Sequence, residues 1–220
     1  MRLQKPIIFV ILFYLSSMAF AGNSDNLNTA ANANYLSPIE KEIIYEINLF
    51  RSNPAEYAEK YIAPLAGKYK GKLLHFPNDK PLMTKEGVKA LNECVRDLKT
   101  ASPVPVLYPN QGLSKAAKDH VKDQSKTGKT GHYGSDRSDS KTRIERYGTW
   151  KVRIAENIAY GGISARQVVI YLLVDDGVAG RGHRKNLLQS DFKTIGVAAG
   201  NHPVFGKMYV MDFAGSFIDK

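Results

Sequence analysis

The chain has 220 residues, 43% of them hydrophobic and 24% charged, with a formal net charge of +10. These proportions fit an ordinary globular protein and exclude disordered, collagen-like and multi-pass membrane chains. The positive excess favours anionic surfaces such as lipid headgroups, cell-wall polymers or acidic glycans; nucleic acid is open on charge alone, but no nucleic-acid motif accompanies it.

The one long apolar run is N-terminal. Arg2 and Lys5 precede Ile7–Leu15, and small residues follow, ending in Ala19-Phe20-Ala21. That pattern predicts a cleaved secretory signal over residues 1–21; the run is short for a membrane span. An uncleaved anchor is the alternative, and either way the remainder faces an extracytoplasmic compartment. Losing Arg2 and Lys5 leaves a charge of +8. Residues 22–36, rich in Asn, Ser and Ala, read as a flexible mature N-terminus. Residues 37–220 read as a single domain without repeats.

Ser37, Pro38 and Glu40 form a helix start with a capping box. Ile43, Ile44, Ile47 and Phe50 then make an apolar stripe that stops near Asn53-Pro54. A short helix over 55–62 and an exposed loop over 63–83 follow. The next helix, 87–99, carries Cys94 beside Leu91 and Leu98 at helical spacing. As the one cysteine of the sequence, it makes no intramolecular disulfide and reads as buried core. Ser102-Pro103-Val104-Pro105 breaks that helix, and another spans 113–124. Residues 125–142 are polar and glycine-rich, too long for a simple turn, and mark a functional loop. Residues 154–160 form a short apolar run. Ser164 caps a helix whose body, Val168–Val174, is apolar nearly all round and therefore buried. A loop over 178–184 leads to Asn186. Two strands, 194–199 and 207–217, close the chain as a hairpin. Helices first and strands last imply an α+β fold, with helices covering an antiparallel sheet.

Nucleophile elbows, His-Glu-x-x-His, P-loops and Gly-x-Gly-x-x-Gly are all absent. What remains is a scattered polar set. His132 sits in Gly131-His132-Tyr133-Gly134. Glu156 interrupts an apolar run, where a charge needs a partner. Asp175 and Asp176 end a hydrophobic helix at its electronegative terminus and require compensation, which His183-Arg184 could supply. Two histidines and two acids can hold a divalent metal, form an acid–base pair, or brace loops against a sheet; their spacing leaves all three open. His120 reads as packing or surface, not as a ligand.

Five segments in order carry a resemblance: Leu113–His120, Gly131-His132, Ala155–Gly161, Gly182–Asn186 and Ile195-Gly196-Val197. Together they resemble the CAP superfamily of cysteine-rich secretory proteins, antigen 5 and pathogenesis-related 1 proteins, also called the SCP domain. The chain looks most like the bacterial and protist secreted branch, which lacks disulfides. The resemblance covers residues 39–217 and implies an α-β-α sandwich with a central antiparallel sheet. It also implies a groove lined by two histidines and two acids: His132, Glu156 and His183 by motif, with Asp176 favoured over Asp175 as the inward-facing second acid. The family often has a Glu three residues after a tryptophan on that helix; here the helix has no tryptophan and its acids are Asp175 and Asp176. The set His132, Glu156, Asp176 and His183 is thus the expected metal site, zinc being a possible ion. Arg137, Arg143 and Arg146 add positive charge nearby.

The resemblance favours a secreted, non-enzymatic binding module for a lipid, sterol, glycan or anionic envelope component. A metal-assisted, peptidase-like hydrolase with Glu156 and His132 as catalytic residues is the alternative. A third reading is an interaction protein whose tetrad only braces the fold.

Overall fold

The computed structural model describes residues 24–220; the predicted signal lies outside them. The chain opens with one turn, α1 (Ser24–Leu27), and the helix α2 (Pro38–Ser52). The capping box forms, with the Ser37 amide donating to Glu40 Oε2 at 2.7 Å. The other Glu40 oxygen accepts the amide of Ala199 and ties the helix start to the sheet. The four-residue α3 (Pro54–Tyr57) runs on through a π turn and a 3₁₀ turn to Lys68.

Three two-residue strands follow, β1 (Tyr69–Lys70), β2 (Leu73–Leu74) and β3 (Leu82–Met83), paired antiparallel in that order. The expected exposed loop over 63–83 is therefore a small sheet, anchored by buried Leu65 and Leu74. Then come α4 (Val88–Thr100), β4 (Tyr108–Pro109), α5 (Gln111–Thr127), α6 (Ser140–Tyr147), β5 (Gly148–Tyr160), α7 (Ala165–Val174), α8 (Gly182–Leu187), β6 (Thr194–His202) and β7 (Gly206–Asp219).

The main sheet has the order β4-β6-β7-β5. Its long strands are antiparallel; the two-residue β4 pairs parallel to β6. Side chains alternate across the sheet. Ile195, Val197, Tyr209, Met211 and Phe213 pack with α2, α4 and α7 in the larger core. Ile158, Ala198, Met208, Val210 and Ala214 pack on the other face with α5 and α6. The layers are α-β-α, as the resemblance implies. Gly196 fits because α5 crosses so close that a Cβ there would lie 2.1 Å from the Leu113 backbone.

Two expectations need correction. Residues 154–160 are the end of a 13-residue strand, not an isolated run. Alternation breaks at a β-bulge between Lys151 and Ile154, where Val152 takes φ 73°, a costly conformation for a β-branched residue. The segment predicted as a flexible N-terminus is packed from Leu27 onward. Leu27, Ala30, Ala33 and Leu36 are buried, and Asn48 Nδ2 donates to the Leu27 and Leu107 carbonyls. Apolar residues three apart, two of them alanines, form the contact.

Cys94 lies fully buried in α4, and burial pushes its thiol up to about 12. Arg51 is also fully buried. It donates to the carbonyls of Pro105, Leu187, Gln189 and Phe192 at 2.7–3.2 Å. Without a carboxylate partner, its desolvated guanidinium falls to about 10. Arg51→Ala would leave these carbonyls without their donor, so we expect unfolding free energy to drop by about 3 kcal/mol or more in urea titration.

Candidate functional site

β5 is an edge strand, and each predicted histidine meets it from one side. Glu156 lies in the row Ile154–Glu156–Ile158, facing α5 and α6. Its side chain is buried, and burying a carboxylate requires partners. Arg143, equally buried on α6, donates from Nη2 to Glu156 Oε2 at 2.7 Å. His132 Nδ1 meets Glu156 Oε1 at 2.8 Å, while its side chain stays 49% exposed. Arg143 Nη1 also donates to the backbone carbonyls of His132 and Ser138, so one guanidinium orients both the acid and the loop of its histidine.

That loop is pinned at Gly131. Its amide donates to the Tyr160 hydroxyl, which in turn donates to Gln124. Its carbonyl accepts from Gln124 Nε2 and His120 Nε2. His120 is fully buried and packs the loop, as expected; desolvation lowers its pKa and holds it neutral.

The second histidine lies on the other side of β5. His183 is in the first turn of α8, and its Nδ1 meets Asp175 Oδ1 at 2.6 Å. Asp175 Oδ2 accepts the His183 amide at 2.9 Å. Asn157 faces this layer, donating to the His183 carbonyl and accepting from Asn186. Here the prediction of Asp176 as the inward acid is corrected. The helical wheel ceases to apply at Asp175, a left-handed cap with φ 54° and ψ 44°, and Asp176 turns away to accept the amides of Lys85 and Glu86. Both acids receive N–H donors, which supplies the compensation their place at a helix C-terminus demands.

The His183 segment is clamped from outside. Arg181 pairs with Glu86 and Glu93, and Arg184 with Glu93 and Asp97, along an open cleft. Hydrogen bonds from Arg181, first of all, hold Glu86 and Glu93 down at about 2.

Sequence reasoning missed Asp212. It pairs across the strands with Glu156, in the inward row Met208–Val210–Asp212–Ala214. It is completely buried, and no group donates a hydrogen bond to either oxygen. Desolvation, then the Glu156 charge, raises its pKa well above the ordinary value. A neutral Asp212 is a donor, with Glu156 as the acceptor beside it. A lone acid in the apolar run Met208–Ala214 was the available signal.

Zinc would need three or four donors converging on one point. Glu156 is occupied by Arg143 and His132, Asp175 by His183, and Asp176 points elsewhere. Among the described residues no three His, Cys, Asp or Glu side chains gather closely enough to hold a metal ion. The donor set as placed does not fit zinc. It forms instead two buried-acid, exposed-imidazole pairs flanking an edge strand, each ring fixed through Nδ1.

The chain matches the family model described as CAP, the cysteine-rich secretory protein family, over residues 44–213, and it belongs to that family. Among solved structures, an extracellular SCP-domain protein from Bacillus anthracis is similar at 25% identity and TM-score 0.42, covering 50% of this chain and 34% of that one. An outer surface protein from Borrelia burgdorferi is similar at 21% identity and TM-score 0.42, covering 49% and 76%. A cysteine-rich secretory protein from Staphylococcus aureus is similar at 17% identity and TM-score 0.35, covering 63% and 42%. The match thus spans about a third of the length of the Bacillus protein. No curated protein matches the chain.

Two pH dependences follow. Asp212, raised in the fold, costs stability as pH climbs above its ordinary value of 3.8. Wild type should therefore fall behind Asp212→Asn by about 1.4 kcal/mol per pH unit until Asp212 ionises in the fold, and match it at pH 3 in paired thermal melts. Glu86 and Glu93, held low, stabilise the fold above their ordinary 4.5 and lose that contribution as pH falls through about 2. Arg181→Met should then unfold at a higher pH than wild type in an acid titration followed by circular dichroism.

Proposed function

We propose that the protein is a secreted CAP-family binding module, which takes a lipid, sterol or glycan of the cell envelope beside β5 without turning it over. One observation carries this reading. Glu156 and Asp175 are buried and fully engaged, while the imidazoles they hold stay partly exposed, His132 at 49% and His183 at 22%. A base must be free to take a proton from substrate within hydrogen-bond reach, and Glu156 is committed to Arg143. Partly exposed rings fixed through Nδ1 are suited to recognition, because their orientation is set before a ligand arrives.

Secretion is supported by the leader-like segment Arg2–Ala21. Among the described residues no helix is long and apolar enough to cross a membrane. The hydrolase reading retains one favourable feature, the His132–Glu156 pair, which has the geometry of an acid–base dyad.

The test is retention of envelope extracts, both lipid and polysaccharide fractions, by wild type and by His132→Ala. We expect the variant to lose about tenfold in affinity for the retained fraction, with a melting temperature within a few degrees of wild type, because His132 is half exposed. Product release that disappears in Glu156→Gln would overturn the non-enzymatic reading. Stoichiometric zinc binding abolished in His132→Ala/His183→Ala would restore the metal site. A large fall in melting temperature in His132→Ala, with retention unchanged, would make the pair a brace.

A further inference from the structure

α5 presents Lys115, Lys118, Lys122 and Lys126 at spacings of 3, 4 and 4, and Lys129 follows just past its end. At 3.6 residues per turn the four helical lysines fall within about 80° of one another, in a ridge about 16 Å long. All five are exposed. Among the described residues none forms an ion pair. Asp119 bonds Arg146 and Tyr147, and Asp123 bonds Ser135, and both acids line a cleft beside Lys122 and Lys126. Five lysines against these two acids leave the ridge with a net positive charge on a rigid element.

The ridge ends against an apolar tip. The β6–β7 turn packs onto the end of α5, with Ser125 Oγ donating to the Asn201 carbonyl and the His202 ring meeting the Lys129 carbonyl. At that turn Val204 is 70% and Phe205 48% exposed. Phe205 rests its ring on Tyr160 and His202, so its position is fixed although it faces solvent. Exposed side chains of this kind are costly in water and favourable at a lipid interface. Lysines attract anionic headgroups, and an adjoining apolar tip enters the acyl boundary.

We propose that the α5 lysine ridge and the Val204-Phe205 tip form a docking surface for an anionic lipid bilayer, separate from the His132 and His183 pairs. Charge complementarity selects the headgroup sign. The apolar tip selects a bilayer over a soluble polyanion, which offers nothing for Phe205 to enter.

The test is cosedimentation of the signal-free protein with vesicles of phosphatidylcholine alone or with 30% phosphatidylglycerol. Binding is expected only to the anionic vesicles, weakening as salt rises. Lys118→Glu/Lys122→Glu/Lys126→Glu should lower partitioning by about a hundredfold. Phe205→Ser should lower it several-fold with the salt dependence kept, and Phe205→Trp should show a blue-shifted emission quenched by brominated lipid. Circular dichroism checks that each variant is folded, and all substituted positions are exposed. Equal binding to neutral vesicles, or full binding by the folded triple variant, would overturn the proposal. So would retention on heparin–agarose without vesicle binding, which would reassign the ridge to a soluble polyanion.

Discussion

A single buried cation joins the parts of the chain that sequence distance keeps apart. Arg51, at the end of α2, collects carbonyls from the 101–107 connection, from the end of α8 and from the loop into β6. Among the described residues no acid pairs with it, so its stability depends on four dipoles staying aimed at one point. That requirement fixes α8 against α2 and, with α8, the place of His183. The Arg181 and Arg184 ion pairs hold the same segment from its outer side. Buried cations are strongly destabilising when their partners move, so the second histidine rests on one of the most constrained segments of the fold.

The first histidine rests on a charge balance of a different kind. One guanidinium, Arg143, and one carboxylate, Glu156, are buried together with Asp212. An ionised Asp212 would put two negative charges beside one positive in a space closed to bulk solvent. A proton on Asp212 removes the excess and turns an orphaned acceptor into a donor. Glu156 is held by Arg143 and His132, and of this cluster the His132 ring is the part that reaches solvent.

Much of this was legible in the sequence. The capping box of α2, the Ser164 cap, the apolar α7 and the closing hairpin follow from local chemistry that tertiary contacts did not override. His132, Glu156 and His183 stood out because polar residues among glycines or apolar neighbours need a reason. Asp176 misled because periodicity counts turns and does not see where a helix stops; a left-handed residue at 175 exchanged the roles of the two acids. β5 was hidden by its bulge, since one extra residue reverses the alternation by which strands are read. Asp212 was missed although it interrupts an apolar run as Glu156 does, because its meaning comes from Glu156 on another strand. The packed N-terminus escaped because alanines contribute contact area without a hydrophobic signature.

The buried thiol of Cys94 has a wider consequence. The sequence has one cysteine, burial leaves it inert as a nucleophile, and neither Arg51 nor the ion pairs involve sulfur. Small exported proteins commonly depend on oxidising surroundings to close their cross-links. With this one thiol buried and unpaired, the fold closes no cross-link, so its refolding should proceed alike at any thiol–disulfide potential.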